Sequence, residues 1–329
     1  MQKLLTIVVP VYKVEPYINK CLDSCVLDDE ELMNQLEVII VNDGTPDNSA
    51  EMSREYAKRY PNTFRQIDKE NGGHGSAWNV GLKEATGKYL RFLDSDDWLT
   101  NLDKLMEKLQ KTNVDLVFTQ MDMYMVMENK FVRYPVNGEC DKELPITSFP
   151  YKLTDSQTVA NFQYCTYKTS MLKPYYPLFD EHVYYDDIIL HSATVLLAKD
   201  YVILNFPLYQ YLIGREGQTM SADVLMKNAE MLDKELRKAL KFYISTRKET
   251  TLEQQLWACR AICGVLLNTL IMPMPLMNFK DFRRTAILYR DVISVMTIEE
   301  SQPKRTKRLV KYPDWMSFCI EKIRLLKNK

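Results

Sequence analysis

The chain is predicted to fold as an α/β protein, a mostly parallel central sheet with flanking helices, followed by a helical C-terminal region. Three observations lead there. The chain starts with an unbroken apolar, β-branched run, LLTIVVPVY from Leu4 to Tyr12, of the kind that fills the middle of a parallel sheet covered on both faces. Strand and helix patterns then alternate through the first hundred residues, which implies βαβ units and right-handed crossovers. Finally, each loop of unusual composition follows the C-terminal end of a strand, the edge along which open parallel sheets bind ligands.

Taken in order, Leu4 to Tyr12 reads as the first strand and not as a signal peptide, because it is preceded by a single Lys and followed by no small-residue cleavage site. Glu15 to Leu27 carries Ile18, Leu22, Cys25 and Val26 at helical spacing. Leu36 to Asn42 (LEVIIVN) is a second strand. It ends in DGTPDNS, where Asp47 or Asn48 can cap a helix over Ser49 to Arg59. Phe64 to Ile67 is a third strand running into KENGGHGSAWNVG, whose Gly72, Gly73 and Gly75 precede a helix from Ser76 to Ala85. The next strand, KYLRFL from Lys88, stops at Asp94, Asp96 and Asp97 with Ser95 between them.

Those acids are the centre of the functional reading. Carboxylates cannot be buried unpaired without a large desolvation penalty, so they need a metal, a cation or water. Carboxylates at Asp94 and Asp96 in a loop after a strand suit Mg²⁺ or Mn²⁺ that takes its remaining oxygens from a substrate's phosphates. The competing reading is a solvated acidic turn. Four loops, Tyr12 to Glu15, Asp43 to Asp47, Glu70 to Ser76 and Asp94 to Asp97, converge on one sheet edge, and that favours the ligand site. In the glycine loop, Gly72 and Gly73 allow the backbone to approach a phosphate or sugar ahead of a helix N-terminus. His74 is either a ligand contact or an idle surface residue, and Asp43 either a hydrogen-bond acceptor for a base or ribose or a turn residue. No G-x-G-x-x-G follows the first strand, which disfavours a dinucleotide cofactor.

Beyond Trp98 a helix from Leu102 to Lys111 leads to two extended stretches joined near Glu128 to Lys130, a hairpin or sheet edge. Tyr151 to Leu172 reads as a substrate-facing excursion. A second acid pair, Asp186 and Asp187, stands directly before an apolar helix holding Ile188, Ile189 and Leu196; acids there can also be plain dipole partners of the helix. From Ser221 the pattern is helical throughout. The most apolar stretch, Ala261 to Met277, is broken by Asn268, Pro273 and Pro275 and reads as a buried or interfacial helix ending near Met272, too short to span a bilayer.

With 329 residues, 46% hydrophobic and 26% charged, the chain is an ordinary globular one. Its seven Cys, an odd count without a secretory signal, point to reduced thiols in a cytoplasmic protein rather than a disulfide framework. Net charge is −1, yet residues 301–329 hold nine Lys or Arg against Asp314 and Glu321. That basic, apolar-studded segment, 304–329, is suited either to peripheral contact with an anionic membrane surface or to packing as a core helix with a solvated Lys/Arg face. The body is acidic, so nucleic acid is excluded as a partner.

TIVVPVYKVEPYINKCLDS, VIIVNDGTPDNS, ENGGHGSAWNVGLKEATGKYLRFLDSDDWL, FDEHVYYDDIIL and PLYQYLIGREGQTMS, in that order over Leu4 to Met220, resemble the family 2 glycosyltransferases with the Rossmann-like GT-A fold. The resemblance implies a nucleotide-sugar-binding half over residues 1–100, an acceptor-binding half over 101–220 and a separate helical region over 221–329. It implies inverting transfer of a sugar from a nucleotide donor, usually a UDP-sugar, to the hydroxyl of a glycan or lipid-linked glycan of the bacterial surface. By position, Pro10, Val11, Tyr12 and Glu15 would line the base and ribose and Asp43 would receive the uracil edge. Gly72, Gly73 and Asn79 would belong to the donor site. Asp94, Ser95 and Asp96 stand where the family's D-x-D motif holds ribose and metal, with Asp96 coordinating directly; Asp187 stands in the base's place, Asp186 replaces a Glu, and Arg215 would reach the donor phosphates. Lys13, Asn42 and Trp78 depart from the family pattern, Trp78 standing where Arg is common. The rival readings are a nucleotidyltransferase that makes a nucleotide-sugar and a non-catalytic sugar-nucleotide or membrane-surface module.

Overall fold

The computed structural model describes residues 3–149, 161–214, 224, 227–271, 279–280, 283 and 286–287. The chain divides into two compact units, the first made of Met1–Lys152, Val159–Asp187 and Leu197–Glu216, the second of Leu153–Thr158, Ile188–Leu196 and Gly217–Lys329.

The first unit is built on one ten-stranded sheet. Strands β1 (Leu5–Val11), β2 (Leu36–Asp43), β3 (Phe64–Lys69) and β4 (Tyr89–Phe92) are parallel in the order β3-β2-β1-β4. Every residue of β1 and β2 is buried, as their largely apolar sequences lead one to expect of strands covered on both faces. The polar residues enclosed with them are satisfied: Thr6 donates to Glu37 at 2.6 Å, and the same carboxylate accepts from Thr86 N–H at 2.9 Å. Connecting them are α1 (Ile18–Asp23), α2 (Glu30–Gln35), α3 (Ser49–Arg59) and α4 (His74–Glu84). The expected helix over Glu15 to Leu27 is shorter, ending at Ser24, and α2 is a separate helix capped by Asp29, whose side chain accepts from Glu31 N–H and Leu32 N–H. At the start of α3 it is Asp47 that accepts from the Ser49 N–H, at 3.2 Å.

After the short β5 (Trp98–Leu99) and α5 (Leu102–Leu109), β6 (Leu116–Met125) and β7 (Lys130–Tyr134) form the expected hairpin, turning through Val126–Glu128 and a left-handed Asn129. β8 (Leu144–Pro145) is an edge fragment. β9 (Cys165–Lys168) pairs antiparallel with both β4 and β6, and β10 (Asp200–Ile213) runs parallel to β6. This corrects the reading of Tyr151 to Leu172 as a substrate-facing excursion. Residues 150–160 lie outside the described ones, but Cys165 to Tyr167 are buried in the sheet and α6 (Thr169–Leu172) follows directly. Because β9 reverses direction twice over, β4, β6 and β10 end on the same sheet edge as β1 to β3.

The second unit holds most of α7 (Ile188–Leu197) together with α8 (Ala229–Thr246) and α9 (Leu252–Ile271). α9 is described as far as Ile271, so its expected end near Met272 lies outside the described residues, and inside this unit Gln254 donates to the carbonyl of Val195 at 3.0 Å. Among the described residues no helix is long and apolar enough to cross a membrane. The basic segment 304–329 and Arg215 lie outside the described residues.

Candidate active site

β4 delivers the acids. Its Arg91 is wholly buried and donates to the Cys165 carbonyl (3.0 Å), the Thr166 hydroxyl (2.9 Å) and the Gln163 carbonyl, which ties β4 to β9. Burial draws that guanidinium down to about 10. Past Phe92 the loop is pinned from β10: Tyr209 donates to Asp97 at 2.6 Å and accepts from the Asp94 N–H at 3.2 Å, while Leu212 N–H donates to Asp97 at 2.8 Å. Asp97 is therefore the buried anchor of the loop. Burial first, then Asp96 and Asp94, push its carboxyl well above the usual range. Asp94 and Asp96 are half-exposed with the buried Ser95 between them, and carboxylate oxygens of Asp94, Asp96 and Asp97 lie within 4.8 Å of one another. Hard oxygens clustered on an anchored loop, two of the three carboxylates partly exposed, fit a divalent cation such as Mg²⁺ or Mn²⁺.

The first two loops are stitched together. Lys13 adopts a left-handed conformation (φ 56°) and its N–H donates to Thr45, while Asn48 donates to Glu15 through both its backbone and its side chain. Tyr12 projects beside them, 43% exposed, and Pro10 and Val11 stay buried in β1. Asp43, expected to receive the uracil edge, is held within the chain. Its carboxylate accepts from Lys69 at 2.7 Å and from the N–H groups of Gly72 and Gly73 at 2.9 and 2.8 Å. The anion that the two glycine amides bind here is thus the chain's own Asp43.

What approaches the glycines closely is the segment carrying the second acid pair. Gly73, at φ +88°, would place a Cβ 3.0 Å from the His182 nitrogen, and a Cβ on Gly75 would fall 2.5 Å from an Asp186 oxygen and 2.6 Å from the Asp180 carbonyl. The Gly72 carbonyl accepts from His182 N–H at 2.7 Å and Ser76 donates to Glu181 at 2.9 Å. Asn79, expected among the donor contacts, commits its buried amide to this seam: it donates to the Phe179 carbonyl and accepts from the Leu178 and Phe179 N–H groups. The glycines are needed because two chain segments meet here, with no room for side chains between them.

His74, the first residue of α4, closes the arrangement. Its Nε2 lies 3.0 Å from Asp94 and its Nδ1 3.0 Å from Asp186. Two carboxylate partners require a proton on each ring nitrogen. Burial acts against that charged form, but Asp186 and Asp94 outweigh it and raise the imidazole well above its ordinary value. Behind the ring sits Trp78, its centre 4.2 Å away, wholly buried and stacked on Phe92 at 4.4 Å with Phe162 and Phe179 at its edges. Asp187, half-buried, follows Asp186 at the start of α7. Burial, Asp186 and Asp94 lift its carboxyl to about 7, with His74 opposing them. A carboxylate poised near neutrality is the usual condition of a general base. The acid loop and the second acid pair, read separately from the sequence, thus share one site. Sequence reasoning left His74 undecided between ligand contact and bystander and missed Tyr209, for which the sequence holds no local signal.

The class of protein follows from this architecture. A mostly parallel sheet with the antiparallel β9 set between β4 and β6, and acids at its C-terminal edge, is the GT-A fold. Residues 1–349 of TarS from S. aureus, solved in complex with UDP-GlcNAc, share it with a TM-score of 0.56 over 91% of each chain at 20% identity. Residues 6–174 match the family described as Glycosyl transferase family 2, and the chain belongs to that family. Among its relatives is the uncharacterized glycosyltransferase EpsJ of Bacillus subtilis, 30% identical over 74% of this chain and 70% of EpsJ. The teichoic acid poly(glycerol phosphate) polymerase of Staphylococcus epidermidis is 31% identical over 62% of this chain, which corresponds to 28% of that protein's length.

Proposed function

We propose that the protein transfers a sugar, with inversion, from a nucleoside diphosphate donor, a UDP-sugar in our reading, to a hydroxyl of a glycan or lipid-linked glycan in bacterial surface polysaccharide assembly. The observation that carries this is His74 spanning Asp94 and Asp186, since it sets a carboxylate loop suited to a donor's diphosphate beside a carboxyl of near-neutral pKa. The UDP-GlcNAc bound by TarS and the teichoic acid polymer made by the S. epidermidis relative support the donor class and the acceptor class.

In this mechanism the acceptor hydroxyl attacks the anomeric carbon from the face opposite the nucleotide. The bond from that carbon to the diphosphate oxygen breaks as the new glycosidic bond forms, and Asp187 takes the hydroxyl proton. Asp94 and Asp96 would hold Mn²⁺ or Mg²⁺, which when bound neutralises charge on the diphosphate. Tyr12 and Glu15, with Pro10 and Val11 behind them, would line the base and ribose. His74 holds Asp186, and Asp97 holds the loop from below.

The test is a panel of nucleotide-sugars incubated with Mn²⁺ or Mg²⁺. Release of nucleoside diphosphate from a sugar nucleotide is the expected result. Pyrophosphate formed from a sugar phosphate and a nucleoside triphosphate would instead favour the nucleotidyltransferase, and binding without turnover the non-catalytic module. The pH profile adds a sign. Below about 7 the Asp187 carboxyl is protonated and cannot accept a proton, so kcat/KM should fall about tenfold per pH unit on that side. A profile flat down to pH 5 would show that no group needed for turnover changes protonation between pH 5 and 7.

A further inference from the structure

The seam between α4 and the 178–187 segment gives His74 a task that no motif assigns. Among the described residues, His74 is the only side chain that hydrogen-bonds to Asp186, whose carboxylate is 4% exposed and pressed against Gly75. The ring meets the buried indole of Trp78 at a tilt, centres 4.2 Å apart, and that indole touches Phe92, two residues before Asp94, and Phe179, in the segment that leads to Asp186. The same aromatic core thus backs both acid-bearing segments and the residue that joins them.

We propose that His74 is a positioning residue which, by hydrogen-bonding Asp94 with Nε2 and Asp186 with Nδ1, holds the adjoining Asp187 at a set place relative to the acid loop. This rests on the transferase reading for its kinetic part only. The consequence is specific: loss of His74 should impair the chemical step far more than donor binding, because the acid loop is separately anchored by Tyr209 and Leu212.

The test has two arms. In the first, nucleoside diphosphate release is measured for wild type, His74→Ala and His74→Arg with the sugar nucleotide that wild type turns over, and UDP binding is measured by calorimetry. His74→Ala should lower kcat on the order of 10²-fold, the scale of a displaced catalytic group, with donor KM and UDP affinity nearly unchanged. His74→Arg, whose forked N–H groups can face two carboxylates, should recover part of the loss. A His74→Ala enzyme with wild-type kcat, or one in which KM rises as kcat falls, would overturn the proposal. The second arm needs no variant to fold and no turnover. A crystal structure of the wild-type protein should place the His74 ring nitrogens within hydrogen-bond distance of both Asp94 and Asp186, as here, and a ring turned away from either carboxylate would overturn the proposal. Wild type that releases no nucleoside diphosphate from any sugar nucleotide would defeat the transferase reading, and the crystal structure would still decide whether His74 ties the two acids together.

Discussion

Asp187→Asn should reduce kcat on the order of 10²–10⁴-fold, the usual contribution of a general base, while leaving UDP binding intact. The amide keeps the size and the position at the head of α7 but has no carboxylate to take a proton. Asp186→Asn is a different experiment, because Asp186 already accepts from His74 and is nearly closed off from solvent; its loss should act through misplacement. Nucleoside diphosphate release at saturating donor, paired with calorimetric UDP binding, reads both variants. Wild-type turnover in Asp187→Asn would show that another group takes the proton.

Trp78→Ala should cost about 3–5 kcal/mol of stability, the range for emptying a buried aromatic site, read from the shift in a denaturant unfolding midpoint. The side chain has no exposed surface and touches Phe92, Phe162, Phe179 and His74 at ring-centre distances from 4.2 to 5.2 Å. Among the described residues its indole N–H has no hydrogen-bond partner, so packing holds it. Trp78→Arg, which would install the residue common in the family, should not rescue the fold. Those three phenyl rings offer no carboxylate, and a buried unpaired guanidinium carries a heavy desolvation penalty. Wild-type stability in either variant would show that this core is far more plastic than its packing implies.

These two cases show where sequence reasoning succeeds and where it stops. The first four strands were legible because unbroken apolar runs and turn residues mark a parallel sheet locally. β9 was not, since its four residues join the sheet only through antiparallel partners far away in sequence. The acids at 94, 96, 186 and 187 stood out by composition and by their place after a strand or before a helix. What joined them was hidden. A histidine inside a glycine run gives no indication of which way its ring points, and the amides of Gly72 and Gly73 could equally have served a phosphate as Asp43. Trp78 looked like a lost cation, yet the positive charge of the site sits one helical turn earlier, on His74.

A crystal structure with UDP and Mn²⁺ bound tests the central claim most directly. The diphosphate should lie against the Asp94 to Asp96 loop with Asp187 facing the side from which the sugar has departed. A nucleotide bound on another surface, or an Asp187 turned away from the diphosphate, would contradict the account.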